Sequence, residues 1–221
     1  MNKTKIPWCD YTINPVKGLC PMACEYCYAR RMYKRFKWNP SIRFEPETLI
    51  DLSVVPKGSK VFIGSTIELF HEYTEQWMPY ILDCVQRAPW QTSIFLTKQP
   101  QNLVGYSFPS NAWVGITVCD DKMANGIVSF EGIDATVKFV SYEPMLEDAH
   151  LHYYTDFFNW CILGSRTQPT KHPPLDLVER TISAMNKAHI PVFIKEPLAS
   201  YINIQRQEFP EPVSDIELLT K

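Results

Sequence analysis

The chain has 221 residues, of which 45% are hydrophobic, and its formal net charge is −2 at pH 7. A chain of this length and composition can bury one substantial core, so a single main domain is expected. The sequence contains no apolar run near the roughly 20 residues of a membrane span and no signal-peptide pattern, which predicts a cytoplasmic protein without a membrane partner. The nearly balanced charge argues against indiscriminate binding to polyanions, although a local basic patch is compatible with it.

Short apolar and β-branched runs alternate with helical patterns along the chain, which is typical of a parallel sheet with crossover helices. A short strand is expected within residues 9–13. Longer strands are predicted at 60–66, 93–98, 113–118, 137–142, 160–165 and 191–195.

Apolar residues recur at helical spacing in two segments between these strands, 78–85 and 175–185, and Pro191 is expected to end the second. The pattern holds too few strand–helix units for a closed eight-fold barrel of about 250 residues. It therefore predicts an α/β fold with an open, partial parallel β/α barrel of about six strands over residues 1–196. Residues 197–221 form a proline-rich C-terminal extension whose role the sequence leaves open.

Each longer predicted strand finishes in polar residues, and barrel enzymes gather their chemistry at the carboxyl ends of their strands. These side chains are therefore expected to line a single cavity. They are Ser65, Thr66 and Glu68; Lys98 and Gln99; Thr117 and Asp120; Ser141 and Glu143; Ser165 and Arg166; Lys195 and Glu196.

Cys20, Cys24 and Cys27 stand in Cys-x3-Cys-x2-Cys spacing on one short segment. Three thiolates can hold three irons of a four-iron cluster, and the fourth iron is then open to a ligand that is not protein. A structural zinc site would need a second ligand pair, which the sequence lacks, and unliganded thiols are the other alternative. The total of seven cysteines is odd, so a disulfide framework is not expected.

The runs 14–20 and 24–30, including the aromatic Tyr26 just before the third cysteine, resemble the cluster loop of the radical S-adenosylmethionine superfamily. Further stretches resemble a small phage and bacterial branch of that superfamily, whose cluster loop is similar to that of spore photoproduct lyase. They are 61–66, 69–71, 88–90, 96–100, 113–115 and 139–144.

The resemblance implies a barrel of the radical S-adenosylmethionine type with a [4Fe-4S] cluster on the three cysteines. It also implies that S-adenosylmethionine binds the open iron and is cleaved to a 5′-deoxyadenosyl radical, which abstracts hydrogen from an organic substrate. An external one-electron donor of the flavodoxin or ferredoxin type is then a partner. The substrate is a small molecule, a nucleotide or a nucleic acid, and the sequence does not indicate the oligomeric state.

Gly64, Ser65 and Thr66 match the family position that accepts hydrogen bonds from the amino group of S-adenosylmethionine. Lys98 is a candidate partner for its carboxylate and Glu143 for a ribose hydroxyl. The alternative for these two residues is that they are rim charges or a mutual ion pair. The backbone beside Tyr26 is a candidate contact for the adenine edge.

Two further residues are candidates for catalytic roles. Cys119 directly follows an apolar strand and could donate a hydrogen atom to a substrate radical, a role that a cysteine plays in spore photoproduct lyase; a buried small hydrophobe is the alternative. His71 could donate a proton, with a capping or surface histidine as the alternative. Cys9 is interpreted as packing, because a fourth thiolate would close the open site.

The segment after the cysteines predicts a basic helix. Ala29, Met32, Tyr33 and Phe36 recur at helical spacing and are expected to face the barrel. The cations on the other face could bind phosphates, with Tyr28 or Trp38 available to stack on a base, or they could form a solvated face that complements the helix dipole. These cations are Arg30, Arg31, Lys34, Arg35 and Lys37.

The sequence thus predicts a radical enzyme, and two alternatives remain open. The first is a non-catalytic nucleic-acid-binding module stabilised by zinc, and the second is an iron-sulfur electron carrier. Iron content and cofactor cleavage distinguish the three.

Overall fold

The computed structural model describes residues 2–211. Its strands in chain order are β1 (Asn2–Lys3), β2 (Tyr11–Ile13), β3 (Val16–Lys17), β4 (Arg43–Phe44), β5 (Lys60–Ile63), β6 (Thr92–Thr97), β7 (Ala112–Val118), β8 (Val137–Tyr142), β9 (Trp160–Leu163), β10 (Arg166–Thr167), β11 (Thr170–Lys171) and β12 (Val192–Ile194). Its α-helices are α1 (Tyr28–Phe36), α2 (Asp51–Val54), α3 (Met78–Gln86), α4 (Asp121–Ala124), α5 (Leu175–Lys187) and α6 (Leu198–Ile202).

The main sheet is an open α/β half-barrel. Its strand order is β1-β2-β5-β6-β7-β8-β9-β12, and every neighbouring pair from β2 to β12 is parallel. At one edge, β1 runs antiparallel to β2. The pairs β3–β4 and β10–β11 form small antiparallel ribbons outside this sheet. The prediction of an α/β fold with an open parallel barrel is confirmed.

The predicted strands all occur, and the short one at the start becomes the seventh parallel strand. β5 ends at Ile63, earlier than predicted, because Gly64 has φ +79 and turns the chain out of the sheet. Helices α3 and α5 also lie where the periodicity predicts them, although α5 already ends at Lys187, ahead of Pro191. No helix within residues 2–211 is both long enough and apolar enough to span a bilayer.

One prediction for α1 is wrong. Ala29 and Tyr33 are buried as expected, whereas Phe36 is 52% exposed. The helix ends at Phe36, and Lys37 adopts the left-handed conformation with φ 50. The chain therefore turns away before the last helical residue can pack on the barrel.

The two faces of the sheet bury different side chains because successive residues of a strand point to opposite faces. Val61 and Ile63 belong to the large cluster that includes the helices, whereas Phe62 belongs to a smaller one on the opposite face. Aromatic rings dominate the smaller cluster, and several lie near the amino ends of their strands. Its largest members are Trp8, Phe62, Trp113, Phe139, Trp160 and Phe193.

The first part of the C-terminal extension packs against the sheet. The Ile194 amide donates to the Arg206 carbonyl at 2.8 Å, so the chain runs alongside β12. The Phe209 ring lies 5.5 Å from the Trp160 ring and 5.4 Å from the Phe193 ring. It therefore extends the aromatic cluster. The rest of the predicted extension, 212–221, lies outside the described residues.

Gly115 makes this aromatic packing possible, and its replacement provides a test. A Cβ atom on Gly115 would collide with the Phe139 ring. We expect Gly115→Ala to lower the free energy of unfolding by roughly 1 to 3 kcal/mol in urea denaturation, as overpacked cores do. Gly132→Ala is the matched control, because no atom lies within 4 Å of its added Cβ. Equal stability of the two variants would contradict this account of the packing.

Candidate functional site

A cavity of about 260 Å³ lies at the carboxyl ends of the parallel strands. The aromatic cluster fills the barrel near the amino ends, so open space remains where the side chains become short and polar. Most of the strand-end residues singled out in the sequence line this one cavity, as expected; Gln99, Asp120 and Glu196 do not. The polar lining residues from strand ends are Ser65, Thr66, Glu68, Lys98, Thr117, Ser141, Glu143, Ser165, Arg166 and Lys195.

The segment that carries Cys20, Cys24 and Cys27 runs between β3 and α1, and all three thiols line the same cavity. The Gly18 amide anchors the start of the segment by donating to the Tyr33 hydroxyl at 2.7 Å. Gly18 has φ +128, and a Cβ there would lie 2.7 Å from the Ile42 Cα, so only glycine fits this turn. Helix α1 therefore holds the cysteine segment against the barrel.

A second set of contacts fixes Cys20. The Arg30 guanidinium donates to the Cys20 carbonyl at 2.7 Å, and the Glu68 amide donates to the Cys20 Sγ at 3.4 Å. Burial raises the pKa of the Cys20 thiol, and the hydrogen bond from the Glu68 amide opposes that shift. Within residues 2–211, no three His, Cys, Asp or Glu side chains are grouped as ligands of one metal ion.

Glu68 connects the cysteine segment to the sheet. Its carboxylate is buried and accepts hydrogen bonds from the Thr97 hydroxyl at 2.7 Å, the Lys98 amide at 2.8 Å and the Phe70 amide at 3.1 Å. The strand-end pattern includes Glu68, but sequence reasoning missed this connecting role. The sequence does contain a signal for this role, because an acidic residue follows β5 next to a turn rich in hydroxyl side chains.

Asn14 is a site residue that sequence reasoning missed entirely. It follows β2 directly, and its Oδ1 accepts hydrogen bonds from the Ser65 hydroxyl at 3.1 Å and the Thr66 hydroxyl at 3.3 Å. Because both hydroxyl hydrogens are committed to Asn14, the oxygen lone pairs of Ser65 and Thr66 remain available as acceptors in the cavity. A polar residue at the end of the first parallel strand was the signal for it.

The two charged candidates from the sequence, Lys98 and Glu143, differ in their partners. The Lys195 ammonium donates to both carboxylate oxygens of Glu143, at 2.5 and 2.6 Å, so the ion-pair partner of Glu143 is Lys195 and not Lys98. The Lys98 ammonium lies 6.0 Å from the centre of the Tyr26 ring and forms no ion pair with any acid in residues 2–211. Lys98 is therefore a cation that a bound anion can use.

Tyr26 and Cys119 form a pair at the cavity wall. The Tyr26 hydroxyl lies 3.2 Å from the Cys119 Sγ, and Cys119 is only 1% exposed, so Tyr26 separates it from the cavity. Burial raises the pKa of Cys119 to about 11, although Tyr26 and Lys98 oppose that shift. Cys119 therefore keeps its proton at neutral pH.

The structure separates one histidine from the cavity and brings another close to it. His71 is not among the lining residues, and its Nδ1 accepts the Tyr73 amide at 3.3 Å. His172, which sequence reasoning missed, has its Nδ1 2.9 Å from the hydroxyl of Ser165, a lining residue, and its ring stacks on Tyr201 at 4.1 Å. No local pattern marks His172, because it follows the short ribbon β10–β11.

Fold and site together define an α/β half-barrel protein with a cysteine-lined cavity at the carboxyl ends of its strands. Residues 3–201 match the family described as protein of unknown function (DUF5131), and the chain belongs to that family. Comparisons with curated proteins and with solved structures found no match.

The raised pKa of Cys119 predicts a pH dependence of stability. Its ordinary value is 9.0 and its value in the fold is about 11, so its contribution is fully present below pH 9 and is lost as the pH rises towards 11. Between about pH 8 and pH 10.5, Cys119→Ala should lose less free energy of unfolding than the parent, by roughly 1 to 2 kcal/mol. Urea unfolding of the parent and the variant under reducing conditions measures the loss of each over this pH range. Identical losses would refute the raised pKa of Cys119 as the cause.

Proposed function

We propose that the protein is a radical S-adenosylmethionine enzyme, with a barrel of that type, in which Cys20, Cys24 and Cys27 hold a [4Fe-4S] cluster. The observation that carries the proposal is that these three thiols and the polar strand ends line one cavity. When bound, the cluster supplies the electron that cleaves S-adenosylmethionine to methionine and a 5′-deoxyadenosyl radical, which takes a hydrogen atom from an organic substrate.

The donor set fits a cluster with one open iron. Three thiolates on one segment are sufficient for three irons. The Glu68 amide at the Cys20 sulfur supplies the kind of N–H···S contact that stabilises negative charge on a thiolate. The Gly18 turn and the Arg30 contact hold the start of the segment at the cavity that all three thiols line, which supports this role.

The polar strand ends that line the same cavity fit S-adenosylmethionine. Ser65 and Thr66 retain acceptor lone pairs for its amino group, and the Lys98 ammonium, which pairs with no acid among the described residues, suits its carboxylate. The Thr117 hydroxyl is buried in the cavity wall and has no hydrogen-bond partner within residues 2–211. A polar ligand in the cavity would provide that partner. In this proposal Glu143, held by Lys195, accepts from a ribose hydroxyl, and the backbone beside Tyr26 meets the adenine edge.

Cys119 and Tyr26 supply hydrogen to the substrate in this proposal. The protonated Cys119 thiol gives one hydrogen atom, relayed through the adjacent Tyr26 hydroxyl, to a substrate radical. The radical left on this pair is restored by one electron from an external donor of the flavodoxin or ferredoxin type and one proton from solvent. His71 receives no role, because it lies outside the cavity lining.

Iron content and cofactor cleavage test the proposal. Anaerobic reconstitution should give about four irons per chain, and dithionite-reduced protein should convert S-adenosylmethionine to 5′-deoxyadenosine and methionine. Alanine variants of Cys20, Cys24 or Cys27 should lose most of the iron. Cys9→Ala is the control and should keep it, because Cys9 packs in the aromatic cluster away from the cavity.

Two results would overturn the proposal. Zinc in place of iron would favour the nucleic-acid-binding module without catalysis. An intact cluster that neither binds nor cleaves S-adenosylmethionine would favour the electron carrier.

Ser65→Ala and Lys98→Ala should each weaken S-adenosylmethionine binding about tenfold, because each removes one polar contact with a charged group. Equilibrium dialysis of reconstituted protein measures the affinity, and the iron content should stay unchanged. Lys98→Ala keeps the backbone amide that binds Glu68, so the cavity wall stays connected. Lys57→Ala is the matched control, since Lys57 is exposed and outside the cavity. If all three variants bind S-adenosylmethionine with equal affinity, Ser65 and Lys98 do not contact it.

A further inference from the structure

The last turn of α1 and the residues after it form a basic aromatic surface, which we call the α1 patch. All of its members are exposed. They are Lys34, Arg35, Phe36, Lys37 and Trp38.

The cations of the α1 patch differ from their basic neighbours in their partners. Arg30 and Arg31 turn inward and donate to the carbonyls of Cys20 and Gln168, at 2.7 and 3.1 Å. Arg43 pairs with Glu45 at 2.9 Å. Within the described residues, no salt bridge joins Lys34, Arg35 or Lys37 to an acid.

The local sequence concentrates this charge. Residues 26–43 contain no acid, although the whole chain has a net charge of −2. The positive field of the α1 patch is therefore local, and a polyanion is the complementary partner.

The rings of the α1 patch form an open stack. Phe36 and Trp38 are 52% and 44% exposed, and their ring centres lie 5.4 Å apart with an interplanar angle of 24°. The Arg35 guanidinium lies 5.3 Å from the centre of the Phe36 ring. The left-handed Lys37 folds the chain back so that Trp38 returns beside Phe36. The fold thus holds two aromatic rings in water beside exposed cations.

We propose that the α1 patch binds single-stranded DNA. Exposed aromatic rings stack on unpaired bases of any identity, and adjacent cations neutralise the phosphates, which is the combination that single-strand binders use. A duplex hides its base faces and cannot use the rings. Pyrimidine-rich DNA is the best ligand, since its bases stack weakly on one another and cost least to separate. This inference does not depend on the proposed chemistry of the cavity.

Fluorescence anisotropy with a labelled single-stranded pyrimidine DNA of about 12 nucleotides tests the proposal on the full chain. Three phosphate contacts predict a log–log slope of affinity against salt of about −2. Changing Lys34→Gln, Arg35→Gln and Lys37→Asn together should bring that slope close to zero and weaken binding at least about tenfold at low salt. Asn is chosen at position 37 because it tolerates the left-handed backbone.

The rings are tested separately. Phe36→Leu with Trp38→Leu should weaken binding about five- to thirtyfold while leaving the salt slope unchanged, because stacking releases no counterions. Circular dichroism and the thermal midpoint establish that each variant folds. If the leucine pair fails to fold, Trp38→Leu alone and the charge variant decide the question.

Lys57→Gln with Trp90→Leu is the matched control. Lys57 lies 5.7 Å over the Trp90 ring, and Trp90 is 40% exposed, so the pair offers the same chemistry without the second ring. We expect its affinity to stay within about twofold of the parent, and duplex DNA to bind at least about tenfold more weakly than the single strand. Equal loss from the control variant, an unchanged slope in the charge variant, preferred binding of duplex or of RNA, or no binding by the parent at low salt would each overturn the proposal.

Discussion

The buried carboxylate of Glu68 is the interaction on which the site depends. It is 6% exposed and is satisfied by hydrogen bonds from Phe70, Thr97 and Lys98, while its own amide contacts the Cys20 sulfur. One residue therefore joins the cysteine segment, the turn after β5 and the end of β6. Its loss would leave the buried Phe70 amide and Thr97 hydroxyl without this acceptor, each at a cost of about 1 to 3 kcal/mol, together with the part-buried Lys98 amide. The carboxylate thus fixes the turn after β5 against the end of β6, and that turn presents the amide that contacts the Cys20 sulfur.

Large and small side chains occupy opposite ends of the barrel interior. On the concave face of β7, Trp113 and Gly115 lie below Thr117, and on β8 Phe139 lies below Ser141. The large rings fill the amino end, and the short hydroxyls leave space at the carboxyl end. The cavity is therefore a consequence of where the strand residues change from aromatic to small and polar, which the period-two pattern already contains.

This pattern explains why much of the fold could be predicted from the sequence. Strands with buried faces produce apolar runs, and parallel strands bring their carboxyl ends to one edge, so the pattern of strand ends alone places Ser65, Lys98 and Glu143 together. Two-residue strands such as β10 carry no periodicity and could not be found. The partners Asn14 and His172 depend on tertiary contacts rather than on local spacing. The exposure of Phe36 depends on one left-handed residue, Lys37, which nothing in the spacing announces.

Helix α1 shows how a uniformly basic segment acquires two roles. Its first turns face inward, where Arg30 and Arg31 donate to backbone carbonyls and the Tyr33 hydroxyl accepts from Gly18. These contacts satisfy backbone carbonyls that the helices and strands leave unpaired, and they hold both guanidinium groups against the protein. At the last turn, residues 2–211 provide no acidic partner, so the remaining cations face water beside Phe36 and Trp38. The sequence shows five equivalent cations, and the distribution of backbone carbonyls around the helix decides which of them support the cavity and which can meet a phosphate.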